Sequence, residues 1–195
     1  KSAGAYMTGY SDGTFKPDGV ITRAETAALI ARISGVYNAD ETYNTDFSDC
    51  AQSAWFTNYV GCCIQNGFIT GYSDGTFRPE RNVTRAEFAA ILCRVFGYKR
   101  TSQNDNFNDI SEHWAADSIN ALFDYNVVSP ESDGSFRPDD KLLRKEAVSM
   151  LNAALGIEPD KSGIDSYVSQ NGQPFSDVPE SSPYYYDILS AALGK

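Results

Sequence analysis

The chain has 195 residues, 42% of them hydrophobic and 13% aromatic, which suits one or two packed domains and is too apolar for disorder. Sixteen Lys and Arg stand against 26 Asp and Glu, a formal charge of −10. That balance excludes the basic stripe of a nucleic-acid binder, disfavours an anionic membrane surface and, at first sight, argues against any anionic ligand.

No run of about 18 apolar residues is present, so nothing reads as a membrane span. The opening residues Lys1-Ser2-Ala3-Gly4-Ala5-Tyr6 do not read as a secretory leader, and the expectation is a mature protein or an excised module.

In chain order, the first element is a tight turn, Gly9-Tyr10-Ser11-Asp12-Gly13-Thr14-Phe15-Lys16-Pro17. Asp-Gly between apolar flanks signals such a turn, because Gly accepts positive φ and Asp tolerates it. Ile21-Thr22-Arg23-Ala24-Glu25 follows, and Thr22 with Glu25 forms a capping box that starts a helix. That helix carries Thr26, Ile30 and Ile33 on one face and is stopped by Gly35. Phe47-Ser48-Asp49 then leads into a second helix over Trp55 to Ile64, with Val60 and Cys63 facing the core and Asn66-Gly67 ending it.

The pattern then repeats. Phe68-Ile69 extends into Gly71-Tyr72-Ser73-Asp74-Gly75-Thr76-Phe77-Arg78-Pro79, and Thr84 with Glu87 caps a helix bearing Phe88, Leu92 and Val95, closed by Gly97. Phe107-Asn108-Asp109 opens the helix Trp114 to Phe123, with Ile119 and Leu122 inward and Asn126 at its end. Val127-Val128 leads to a degraded turn, Ser132-Asp133-Gly134-Ser135-Phe136-Arg137-Pro138. Leu143-Arg144-Lys145-Glu146 then starts a helix through Ala147, Leu151 and Ala154 to Gly156. Residues 158–174 hold Pro159, Gly163 and Gly172 and are expected to form a surface loop. Phe175-Ser176-Asp177 and Pro183 to Leu193 match the first helix of a repeat.

Three ordered blocks thus recur in three copies, with the Asp-Gly pairs 62 and then 59 residues apart. The chain begins at the extended segment of one repeat and ends with that repeat's first helix. The expectation is a single mainly α domain over 1–195, built of a repeat split between 5–37 and 175–195, a second over 47–98 and a third over 107–157. The C-terminal helix completes the N-terminal repeat. The copies close into a pseudo-threefold arrangement with adjacent termini, each copy giving two main helices and a short extended turn. An open solenoid would need capping repeats instead.

These residues resemble the S-layer homology (SLH) family, whose repeat is similar to F-x-D, W-A, G-Y-x-D-G-T-F-x-P and I-T-R-A-E in that order. The resemblance covers Tyr6 to Leu193. It implies a non-catalytic, cell-surface anchor of a bacterial envelope, a monomeric module of a larger exported protein. Its partner would be secondary cell-wall polysaccharide or another peptidoglycan-linked glycan, often bearing ketal-linked pyruvate, bound in grooves between neighbouring repeats. It implies no cofactor, no metal, no nucleic acid and no membrane insertion. The alternative is a protein-interaction or self-assembly module of a surface layer.

A pyruvylated sugar offers a carboxylate, hydroxyls and apolar ring faces. Arg23, Arg85 and Arg144 lie just inside helix starts, where a guanidinium and free helix N–H groups can meet a carboxylate; the alternative is an ion pair to a neighbouring Asp. Asp49, Asp109 and Asp177 can take sugar hydroxyls or cap turns. Trp55 and Trp114 can stack on a sugar or pack at a repeat junction. Gly9 and Gly71 admit a close ligand or serve a backbone bend.

Copy three has Pro130-Glu131 in place of Gly-Tyr and Leu143 in place of the capping Thr, and Pro183 stands where Trp55 and Trp114 stand. At most two equivalent grooves are therefore expected to bind well. Catalysis is not expected. Glu25 and Glu87 are accounted for by capping, and His113 has no nucleophile beside it. Cys50, Cys62, Cys63 and Cys93 fit no zinc spacing and read as buried or half-buried thiols.

Overall fold

The computed structural model describes residues 4–195 and is mainly helical. The helices are α1 (Arg23–Ser34), α2 (Thr57–Gln65), α3 (Arg85–Phe96), α4 (Ala116–Asp124), α5 (Arg144–Leu155), α6 (Lys161–Asn171) and α7 (Tyr185–Leu193). The chain divides into two compact units, Val20–Leu142 and Lys1–Gly19 with Leu143–Lys195.

In the unit 20–142, α1 packs on α2 and α3 on α4. Both long helices start at the expected capping boxes. Thr22 Oγ1 accepts the Glu25 N–H while Glu25 accepts the Thr22 N–H, and Thr84 and Glu87 repeat the arrangement. Gly35 and Gly97 end them in the left-handed conformation, at φ 73° and 71°. Thr26, Ile30, Phe88 and Leu92 are buried along the expected stripes. α2 and α4 begin two residues after Trp55 and Trp114, so both tryptophans precede their helices.

Extended structure within this unit includes two isolated antiparallel bridges, Thr22–Asn82 and Thr84–Lys141. Val83 N–H donates to the Ile21 carbonyl, Leu142 N–H to the Val83 carbonyl and Ile21 N–H to the Leu142 carbonyl, at 2.9–3.2 Å. Each of these three residues precedes the cap of its own copy's helix, and each is buried. Within this unit Ile21, Val83 and Leu142 therefore close a ring of three backbone hydrogen bonds.

In the other unit, α5 packs on α7 and α6 on α7. α5 keeps only the glutamate half of its cap: Glu146 accepts the Leu143 N–H, and leucine has no oxygen to return the bond. The C-terminal helix holds the N-terminal segment. The Ala191 carbonyl accepts the Tyr6 and Met7 N–H groups, the Tyr6 hydroxyl reaches Asn152, and Gly194 lies against Gly4 and Ala5. Residues 158–174 depart from the expected loop. Asp160 caps α6 through the Gly163 N–H, and the helix anchors itself by one buried side chain, Ile164. A stripe that narrow, in a stretch with Gly163 and three serines, gives no helical periodicity to read.

Candidate functional site

Each turn is built by residues far apart in sequence. The Asp49 carboxylate accepts the Phe77 and Arg78 N–H groups, at 2.8 and 2.7 Å. Asp109 does the same for Phe136 and Arg137, and Asp177 for Phe15 and Lys16. The basic residue in each turn is left-handed, at φ 58°, 60° and 57°, a conformation costly for any residue with a Cβ. The paired N–H bonds hold it there. Burial pushes the Asp49 carboxyl up, and the two backbone bonds more than offset it, so the net direction is down. The oxygens of Asp49, Asp109 and Asp177 thus serve the turns, one of the two roles read from sequence beside sugar binding. Gly9 and Gly71 are needed for packing. A Cβ at Gly9 would run into the Phe175 ring, and one at Gly71 into the Phe47 ring.

The three arginines also work within the fold. Arg23 Nε donates to the Phe77 carbonyl at 2.8 Å and Nη2 to the Thr70 carbonyl at 2.7 Å. Arg85 Nε reaches the Phe136 carbonyl, and Arg144 reaches the carbonyls of Phe15 and Thr8. Each guanidinium lies over the Phe ring of the turn it holds, at 4.5–4.6 Å. Backbone carbonyls are thus partners of all three guanidinium groups. The helix N-termini are not open either. The N–H groups of Arg23 and Ala24 donate to the carbonyls of Arg81 and Pro79; Arg85 and Ala86 donate to Asp140 and Pro138, and Arg144 and Lys145 to Gly19 and Pro17. With Glu25 and Glu87 N–H capped by Thr22 and Thr84, a carboxylate cannot meet free N–H groups in the first turn of α1 or α3.

One pocket of about 240 Å³ gathers three of the expected residues, Arg23, Gly71 and Trp114. Tyr72, Glu87 and Arg94 complete its polar and aromatic wall. Trp114 is 64% exposed, which excludes the core-packing alternative for this residue; Trp55 is exposed as well. Arg23 is buried, yet its Nη1 is left uncommitted by the bonds of Nε and Nη2. Burial pulls its guanidinium below the ordinary value, with Tyr72 and Glu87 acting against that pull.

Glu87 is occupied by Arg81 at 2.6 Å and by the Thr84 N–H. The Tyr72 ring carries the Arg78 guanidinium at 4.0 Å and that of Arg23 at 5.0 Å. Arg94, on the last turn of α3, touches the Phe68 carbonyl only at 3.4 Å. Among the described residues, neither Arg23 nor Arg94 has a carboxylate partner. The pocket is a positive concavity with an exposed indole at its edge, in a protein of net charge −10.

Arg94 was not anticipated from sequence. A basic residue in the last turn of a helix reads as a partner of the helix dipole. Its counterparts in the other two long helices are Arg32 and Ala153, and that difference between copies was the available signal.

The S-layer homology domain model matches residues 1–27, 46–89 and 106–148. The chain belongs to the S-layer homology family. It is similar to Cell surface glycoprotein 1 of Acetivibrio thermocellus, 36% identical over 97% of this chain and 8% of that protein. It is also similar to the Cellulosome-anchoring protein of the same organism, 29% identical over 96% of this chain and 42% of that protein. An Amylopullulanase of Thermoanaerobacterium thermosulfurigenes matches at 30% over 80% of this chain and 8% of that protein. The chain therefore spans less than half the length of each of these relatives. This SLH module is extracellular and belongs to the cell surface. No helix among the described residues is long and apolar enough to cross a membrane.

Proposed function

We propose that this SLH module attaches a larger exported protein to the cell wall by binding an acidic wall polysaccharide, without turnover. The observation that carries the reading is the pocket of Arg23, Arg94, Tyr72 and Trp114, where two guanidinium groups lack a carboxylate partner beside an exposed indole. A carboxylate-bearing sugar suits that set. The acid, such as a ketal-linked pyruvate, lies between Arg23 Nη1 and the Arg94 fork, and the apolar ring face lies on Trp114. Relatives named as enzymes share the module over a small part of their length, consistent with attachment rather than chemistry.

The test is co-sedimentation with purified wall polysaccharide, before and after mild acid removal of its ketal groups. Arg94→Ala and Trp114→Ala alter exposed side chains and should leave thermal unfolding unchanged. Each should weaken binding about ten-fold or more, the effect of about 1.4 kcal/mol. Full binding by the double variant, or by ketal-free polymer, would overturn the assignment.

A further inference from the structure

The loop after α3 and the start of α4 line a second, broadly open pocket of about 460 Å³, walled by Tyr98, Lys99, Arg100, Asp117, Ser118 and Ala121. The first helix pair shows what the same scaffold places at these positions. Lys99 is the second residue after the helix-ending Gly97, as Tyr37 is after Gly35. Ser118 is the third residue of α4, as Tyr59 is of α2. In the α1–α2 pair these two tyrosines lie ring to ring at 4.8 Å, with Tyr43 stacked on Tyr37 at 5.6 Å, and the Tyr37 hydroxyl accepts a hydrogen bond from Asn58. In the other unit the inserted helix α6 covers the corresponding part of α7, where Tyr186 meets Asp165 and Lys161. The α3–α4 pair has neither its own tyrosines there nor an inserted helix.

Polar anchors fix the loop against both ends of α4, and the pocket lies between them. The Asp124 carboxylate accepts the Thr101 and Ser102 N–H groups at 2.7 and 2.9 Å. Arg100 ties the loop carbonyls of Ser102 and Gln103 to Asp105 and Asp117. The loop's own aromatic side chain forms one wall of the pocket, with Tyr98 stacked on Phe96 at 5.5 Å and on Tyr125 at 4.2 Å. A site whose loop is fixed in this way needs no reordering to accept a ligand.

We propose that this pocket receives an aromatic side chain, a tyrosine, from a second polypeptide. The incoming ring fills the space that Tyr37 and Tyr59 fill in the first helix pair. Its hydroxyl donates to Asp117, the counterpart of Asn58. Arg100 holds Asp117 Oδ1 at 3.0 Å and leaves Oδ2 as the acceptor. The pocket is separate from the Arg23–Trp114 pocket and has no residue in common with it, so failure of either assignment leaves the other standing.

The test uses the whole 15N-labelled chain titrated with p-cresol, N-acetyl-tyrosinamide and, separately, D-glucose. The two phenols should give saturable shifts confined to the amides of 98–102 and 117–121, with a Kd of about 1 mM. Glucose should give none. The Lys99→Tyr, Ser118→Tyr double variant installs the residues of the first helix pair and should abolish the shifts. Asp117→Ala, at an exposed position, should weaken phenol binding about three-fold or more, and it decides the matter if the double variant does not fold. Absent or scattered shifts, phenol binding unchanged in these variants, or glucose acting at the same amides would overturn the proposal. The last result would mark a saccharide subsite instead.

Discussion

Removing the Arg85 guanidinium tests whether the helix-start arginines are chiefly parts of the fold. Arg85 is 5% exposed, donates to the Phe136 carbonyl at 2.8 Å and lies over the Phe136 ring at 4.6 Å. Arg85→Met keeps most of the apolar stem and deletes the charge. A hydrogen bond from a charged donor contributes about 1.5–3 kcal/mol, and a desolvated cation–π contact about 1–2 kcal/mol. The expected loss is therefore about 2.5–5 kcal/mol. For a chain of this size it appears as a fall in Tm of about 5–20 °C. Urea unfolding at pH 7, followed by far-UV circular dichroism, measures it directly. Arg85→Lys should recover little, because a compact ammonium cannot reproduce the flat contact with the ring and the directed Nε bond. A loss below about 1 kcal/mol would refute the structural role and return Arg85 to the ligand-binding role read from sequence.

Gly71→Ala drives a methyl into the Phe47 ring, which packs on Phe77, and should cost about 1–3 kcal/mol in the same assay. Asp74 and Asp124 sit at about 2, the first through the Thr76 hydroxyl and Arg78, the second through the Ser102 and Thr101 N–H groups. Their folded values lie below the unfolded value of about 3.9, so their stabilisation is present above that pH and is lost as pH falls toward about 2. Asp124→Asn should flatten thermal stability across this window. Burial pushes Cys63 up to about 12 and Cys50 and Cys93 to about 11. A thiol-exchange reagent at pH 8 should therefore react slowly with the native protein and rapidly with all four thiols in urea. By linkage, the neutral thiols favour the fold fully below about 8.5, and that contribution falls as pH climbs toward 11 and 12.

Local structure was legible because its determinants are local. Thr22 with Glu25, Thr84 with Glu87 and the glycines after each long helix act within one or two turns of chain, and the structure places them as expected. The three-copy organisation was legible because it is a repeat of such signals. The arginine and aspartate roles were not, because their partners are distant. Arg144 reaches Phe15 across 129 positions and Asp177 reaches it across 162. A guanidinium that holds carbonyls and one that awaits a carboxylate look alike in a sequence. Trp114 could be read from sequence as a ring facing a sugar or packed at a repeat junction, and its exposure is set by the fold, which local sequence does not report. Arg94 and α6 were missed for the opposite reason. One looked like ordinary helix punctuation, and the other had almost no apolar pattern.

The ring formed by Ile21, Val83 and Leu142 bears on how such a molecule can grow. Every member gives one hydrogen bond and takes one, so the circle has no loose end. A sheet edge invites one more strand, whereas a circle of three can admit a fourth member only by opening. Duplicating a single repeat would therefore leave the extra copy without a seat at the centre. Lengthening would come as another complete triplet, or as an insertion of the kind that α6 illustrates. The circle itself would keep three members, set by backbone groups whatever the side chains become.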